Sequence, residues 1–441
     1  MTSTTLGAAT ADITPRHPVD LSGFASRTEP MTGVRAPLEL QAFAFGDDGG
    51  LRAVLVAADL LWWGPDVAEA LRARIAAEHG IGAEAVLLHA SHTHSGPQPG
   101  LTFSTLVGRG DRDYLDFLAT TTLEAVAAAV ADREPVTVAR GSGSCSIALN
   151  RRRADPDGGR GGPDPDGPVD PEVTVIRFDR PDGSAKALLT HYACHPVITA
   201  DQLAGPDFPG VTRARLAERL GPLRQAQDDA STGSGKTVVI AFLQGCCGDL
   251  DPALTEGDRF VRGGDADLDR LGGALADSVI AVIDAGLEPA GDLAVRTRTG
   301  TAQLPLHTPS LAMLANRKDE DGIWGDWSRH LLAHPELITE EIPLRLIMLE
   351  LTDGLALLGL DAEITVEYGL WLKNWSNGGV LPIPYTNGMI GYVVTADQVR
   401  EGGYEPDDSY PYVYRSGRFT TRTEEIVRSA IMSLLTERTT A

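Results

Sequence analysis

Short apolar runs bounded by Gly, Pro and Asp alternate along this chain with longer stretches that carry apolar residues at helical spacing. That alternation restricts the chain to α/β architectures. The strand-like runs are Ala53–Ala57, Ala85–Leu88, Val173–Phe178, Ala187–Leu189, Val238–Leu243 and Leu355–Leu360. Helices are predicted over 65–79, 113–132, 211–220, 266–285 and 424–436, the second led by Asp113 and rich in Ala and Leu. The expected fold is a mixed β-sheet core flanked by helices, formed as a single domain over residues 1–441, because 42% hydrophobic content suffices for one large core. Two segments, 153–171 and 225–236, are dense in Gly, Pro, Asp or Ser and read as surface loops. No internal repeat is visible in the sequence.

The formal net charge of −23 and the absence of a basic cluster argue against nucleic acid and anionic membranes as partners. The N-terminus lacks a charged segment followed by an apolar one, and no apolar stretch is expected to span a bilayer, so a cytoplasmic protein is expected. Oligomeric state is left open. The four cysteines, Cys145, Cys194, Cys246 and Cys247, do not make a disulfide framework. With no Cys-x-x-Cys pair, a zinc site is expected to use His and oxygen ligands. Residues 230–237, Ala-Ser-Thr-Gly-Ser-Gly-Lys-Thr, approach a phosphate-binding loop, but Ala230 replaces its first glycine and a strand is predicted where the helix should begin.

Chemistry concentrates directly behind the run Ala85-Val86-Leu87-Leu88. There His89, His92 and His94 fall within six positions and end in a Ser-Gly-Pro turn. In extended chain His92 and His94 project to one face, and neutral imidazole is the commonest metal ligand. One histidine at such a place would be an ordinary core or turn residue; three this close mark a metal site.

Further segments join it. They are Asp12-Ile13-Thr14-Pro15 with Leu21-Ser22-Gly23-Phe24, Thr190-His191-Tyr192-Ala193-Cys194-His195-Pro196, and Gly205-Pro206-Asp207-Phe208-Pro209-Gly210. Beyond these lie Phe242 to Pro252 (FLQGCCGDLDP), Gly359 to Glu363 (GLDAE), Asn387 to Thr395 (NGMIGYVVT) and Gly402-Gly403-Tyr404-Glu405. In this order, over roughly residues 6–410, they resemble the catalytic domain of the neutral/alkaline non-lysosomal ceramidases. The resemblance implies a zinc-dependent hydrolase that cleaves an amide or ester by attack of metal-bound water. Its ligands fall on His92, His195, Glu363 and Tyr392, with His94 as donor to the developing oxyanion. His191 competes with His195 for the second position or faces the substrate, and Tyr385 competes with Tyr392. Asn150-Arg151 offers a substrate-facing guanidinium, or a solvated arginine of the triple Arg151-Arg152-Arg153. Asp251 stands where the ceramidases carry Ser, which makes it a general base or a turn-capping carboxylate.

Neither the secretion signal nor the C-terminal immunoglobulin-like domain of full ceramidases is expected, so the expected substrate is a small soluble amide or ester. Two other readings stay open. One is a non-catalytic relative with a structural or ligand-binding metal; the other is a zinc enzyme of non-hydrolytic C–N or C–O chemistry. Tryptophans pair as Trp62/Trp63, Trp324/Trp327 and Trp371/Trp375, and the segment 318–335 reads as a pocket lid or as packing.

Overall fold

The computed structural model describes residues 4–154, 159–221, 237–291 and 294–436. Its strands form three five-stranded sheets of identical topology. In the first, Thr5–Asp12, Glu39–Asp47 and Gly50–Ala58 pair antiparallel in succession. The chain then crosses over through helix Pro65–His79 and adds Val86–Ala90 parallel to Gly50–Ala58. The short strand Glu134–Pro135 closes the far edge against Thr5–Asp12. The second sheet repeats this plan with Thr137–Ser144, Glu172–Asp179, Ala185–Tyr192, crossover helix Asp207–Leu220, parallel strand Val239–Gln244 and edge strand Glu288–Pro289. The third uses Arg296–His307, Glu341–Thr352, Leu355–Leu360, crossover helix Val366–Trp375, parallel strand Val380–Ile383 and edge strand Arg418–Phe419. In each sheet a register shift sits beside the hairpin that joins the second and third strands. The repeat that the sequence hides is thus plain in the topology, because a pleated pattern can be met by many apolar sequences.

Side-chain alternation explains how the three units assemble. In the first sheet Phe43, Phe45, Leu55, Ala57 and Leu87 face one way, while Ala42, Ala44, Val54, Val56, Val86 and Leu88 face the other. The first set joins Ile176, Phe178, Leu189, Ala241 and Leu243 of the second sheet and Ile347, Leu349, Leu357, Leu381 and Ile383 of the third in one shared core. The opposite faces make separate cores under the helices. The central strands are therefore buried on both faces and read as near-continuous apolar runs, which is why those runs stand out in the sequence. Strands Arg296–His307 and Thr137–Ser144 are half exposed and polar, and escape that signal.

The five expected helices are present, the second opening at Asp111, whose side chain caps Tyr114 N at 2.8 Å. Helix Arg112–Ala131 is, among the described residues, long and apolar enough by length and composition to cross a membrane, contrary to the expectation that no stretch is. Half of it is buried inside the protein, with Leu118, Leu123, Ala125, Val126 and Ala129 in the core outside the first sheet. Segment 225–236 and residues 230–236 of the phosphate-loop look-alike lie outside the described residues, as do 155–158 of the other expected loop.

Phe178 is fully buried where the sheets meet, its ring 5.9 Å from that of Phe45. Phe178→Ala is expected to cost about 3–5 kcal/mol by opening a cavity that rigid sheets cannot close, read as a lower urea midpoint at unchanged slope.

Candidate active site

Each sheet ends its third and fourth strands side by side and parallel, so six chain exits leave the shared core at one end. Ligands in open α/β sheets bind outside such carboxyl ends. The first sheet sends Leu61 from one exit and His92 and His94 from the other; the second sends His195 and Cys247; the third sends Glu363 and Tyr385. A two-stranded parallel ladder, Glu363–Ile364 with Tyr392–Val393, sets Tyr392 directly beside Glu363.

The side chains meet in a buried cluster. Glu363 Oε1 lies 2.9 Å from His195 Nε2 and 3.2 Å from His92 Nε2, and His94 Nε2 lies 3.4 Å from His92 Nε2. His92, His94 and His195 can each turn a ring nitrogen to a common point, these atoms lying within 4.8 Å of one another. The other ring nitrogens are fixed by backbone: His92 Nδ1 on Leu61 O at 2.7 Å and His195 Nδ1 on Leu250 O at 3.1 Å. A carbonyl only accepts, so both Nδ1 atoms carry a proton and both Nε2 atoms are turned to the Glu363 carboxylate. His195 Nε2 is buried and makes no hydrogen bond. Two imidazole nitrogens and a carboxylate converging in this way fit a bound cation once Nε2 gives up its proton, and the backbone-locked Nδ1 is the usual support of a metal-binding imidazole.

Burial alone would raise the Glu363 carboxyl; the His92 and His195 rings more than offset this and hold it well below the ordinary carboxylate range. Burial, reinforced by His92 and His195, keeps His94 neutral. His92 and Tyr385 both adopt left-handed backbone, φ 66° and 59°, and their rings stack 4.0 Å apart. Each such residue costs about 1–3 kcal/mol, strain of the kind that concentrates at functional sites. Gly23, at φ 95°, lets the chain pass against His94, whose ring a Cβ there would overlap.

Arg151 reaches this cluster through Tyr392. It donates to Glu405 Oε1 and Asp251 Oδ1, both at 2.9 Å, to Gly248 O at 2.7 Å and to the Tyr392 hydroxyl at 2.9 Å. Four of its five N–H groups are thereby engaged, so it works as an internal strut rather than as a free face for a ligand. Asp251 faces Arg151, lies 3.7 Å from Arg262, and sits 4.0 Å from the Nδ1 side of His195. Burial would raise its carboxyl; Arg151, His195 and Arg262 hold it below the usual value, ionised and weakly basic.

His191 is not brought to the cluster. It projects into the shared core and donates from Nε2 to Pro382 O at 2.8 Å, tying the second sheet to the third. His89 does likewise, accepting from Gln244 N at 2.9 Å and donating to Thr386 Oγ1 at 3.1 Å; burial lowers its pKa to about 3. Of the nearby side chains, Arg27 and Arg262 lie outside the matched sequence segments, and Glu405 and Cys247 lie within them without an expected role. Arg27 donates to His94 O, and Phe24 lies between the guanidinium groups of Arg27 and Arg262 at 4.8 and 5.0 Å. Only the sequence neighbours of the matched segments, such as Phe24 and Tyr404-Glu405, carried a signal for this rim.

The segment 318–335 combines both of its expected readings. Trp327 is fully buried in a small core with Leu314, Leu331 and Tyr410, while His330 and His334 line a cavity of about 640 Å³ together with Phe103, Met389 and Arg415. Trp62 connects that cavity to the cluster, with ring centroids 4.9 Å from Phe103 and 6.3 Å from His92.

Three α/β units of one topology thus carry a buried histidine–carboxylate cluster at their strand exits. Residues 5–263 match the profile of the neutral/alkaline non-lysosomal ceramidase N-terminal domain, and the chain belongs to that family. Its fold is that of two solved structures: the neutral ceramidase from Pseudomonas aeruginosa, and a ceramidase complexed with C2. Both superpose with TM-score 0.73 at 20% identity over 98% of this chain, which corresponds to 74% of the first and 75% of the second. No curated protein matches the chain in sequence.

Asp207, in the segment facing this end of the fold, is buried with φ 57° and accepts from Phe208 N at 2.7 Å and Thr199 N at 3.2 Å. Burial raises its pKa from the ordinary 3.8 to about 6. A raised carboxyl binds its proton more tightly folded than unfolded, so its contribution falls as pH rises through about 4 to 6 and stays low above that. Relative to Asp207→Asn, the wild type is expected to lose about 3 kcal/mol at most over this range. Urea midpoints measured every half pH unit check the difference.

Proposed function

We propose that the protein is a zinc-dependent hydrolase that cleaves an amide or ester bond of a small soluble substrate. The observation that carries this is the pair of imidazoles of His92 and His195, both fixed at Nδ1 by backbone carbonyls and both directing Nε2 at the Glu363 carboxylate. These three residues would hold the ion, with Tyr392 beside Glu363 as the fourth contributor. Zinc bound there would supply Lewis acidity and lower the pKa of a bound water to about 7.

The chain's own groups do the remaining work. His94, kept neutral by burial, turns Nε2 toward the cluster and donates to the oxygen that gains charge. The Tyr392 hydroxyl already accepts a charge-assisted bond from Arg151, so its own proton is free to point at the substrate oxygen. Asp251 keeps Arg151 in place; its paired, weakly basic carboxylate suits that role better than proton abstraction. Phe24 between Arg27 and Arg262 gives the rim a cationic, partly aromatic character that suits a polar substrate.

Metal content by plasma mass spectrometry tests this. The wild type is expected to carry about one zinc per chain, and His92→Ala and Glu363→Ala to lose it together with hydrolysis of small N-acyl anilides and p-nitrophenyl esters. A wild type without zinc, not restored by adding it, would overturn the proposal. His94→Ala should retain zinc while kcat falls about 10²–10³-fold, as for a lost oxyanion donor, whereas Tyr392→Phe should weaken zinc binding; loss of metal in His94→Ala would make that residue a ligand instead.

A further inference from the structure

We infer that Cys247 is a sulfur ligand of the same ion, which makes this centre softer than one built only from nitrogen and oxygen. The inference rests on reading the cluster as metal-binding. Cys247 leaves the fourth strand of the second sheet, the exit that corresponds to those carrying His92 in the first and Tyr385 in the third. It is fully buried. Its Sγ lies 3.1 Å from the Tyr385 hydroxyl, which in turn lies 3.3 Å from Glu363 Oε1. Glu363 Oε1 in turn lies 2.9 Å from His195 Nε2, which is buried without a hydrogen bond. Sulfur, phenol, carboxylate and imidazole thus follow one another in a continuous run of buried contacts. The neighbouring Cys246 turns away, packing on Gly369 in the core outside the third sheet.

Charge favours the assignment. Bound through Nε2, with Nδ1–H on backbone carbonyls, His92 and His195 would be neutral ligands and a Tyr392 phenol would add no charge, so Glu363 alone would leave one positive charge of a divalent ion uncompensated in a buried site. A thiolate cancels it. Binding replaces the S–H bond of Cys247 with a metal–sulfur bond and releases one proton to the buffer. The competing role is a neutral thiol that donates to Tyr385 and only positions it.

Cobalt(II) replacing zinc in the full chain separates these roles, because only a thiolate ligand gives intense sulfur-to-cobalt charge-transfer absorption in the near ultraviolet. The band is expected in the wild type and in Cys246→Ser, and absent from Cys247→Ser that still binds cobalt. Cys247→Ser should also weaken cadmium binding at least about tenfold more than zinc binding, since soft ions gain most from sulfur. Cobalt bound to the wild type without the band would overturn the sulfur ligand and leave the metal centre standing. A wild type that binds no cobalt would overturn both. A band that persists in Cys247→Ser would assign the sulfur elsewhere. Should that variant fail to fold, the wild-type and Cys246→Ser spectra decide the question.

Discussion

Everything at the catalytic end depends on three sheets burying one face each in a common core. A sheet flanked by helices on both sides could extend freely; here the inner faces carrying Phe43, Phe45, Phe178, Leu349 and Leu357 leave no room for helices and must pack on each other. Because every unit places its two parallel strands side by side, the packing brings all six strand exits to one end. His89 and His191 stitch that end beneath the cluster, each crossing from one sheet to another with a hydrogen bond. These two are structural partners of the core, kept neutral by burial.

The cluster is an assembly of groups that are individually unfavourable. Left-handed His92 and Tyr385, a buried carboxylate and buried imidazoles all cost stability when the chain folds. The scaffold bears that cost because backbone carbonyls at Leu61 and Leu250 and the ladder beside Tyr392 dictate each orientation. Around it, Arg151 links Asp251, Glu405, Gly248 and Tyr392 in a single network, so the exchange of Ser for Asp at position 251 relative to the ceramidases is accompanied by a guanidinium that neutralises it.

The architecture relates this chain to the ceramidases without requiring the same substrate. Ligand residues sit at strand exits, whereas the rim is made of loops and insertions such as helix Ile323–Ala333, whose Trp327 anchors it to Tyr410 while its other residues face the neighbouring cavity. Chemistry and specificity are carried by different parts of the fold.

Reading the chain alone determined the α/β class, the doubly buried strands such as Leu355–Leu360, and His92 and His94, because hydrophobic period and local clustering are properties of neighbouring residues. His195 and Glu363 were legible only through their resemblance to a family pattern. The choice of His195 over His191 turned on which face of a strand end each occupies, since His191 still follows the inward alternation and His195 has left the strand. The threefold repeat, the strut role of Arg151 and the arrival of Cys247 beside Tyr385 were decided by tertiary structure alone. Residues separated by more than a hundred positions meet there because three sheets share one core, a constraint that no window of sequence contains.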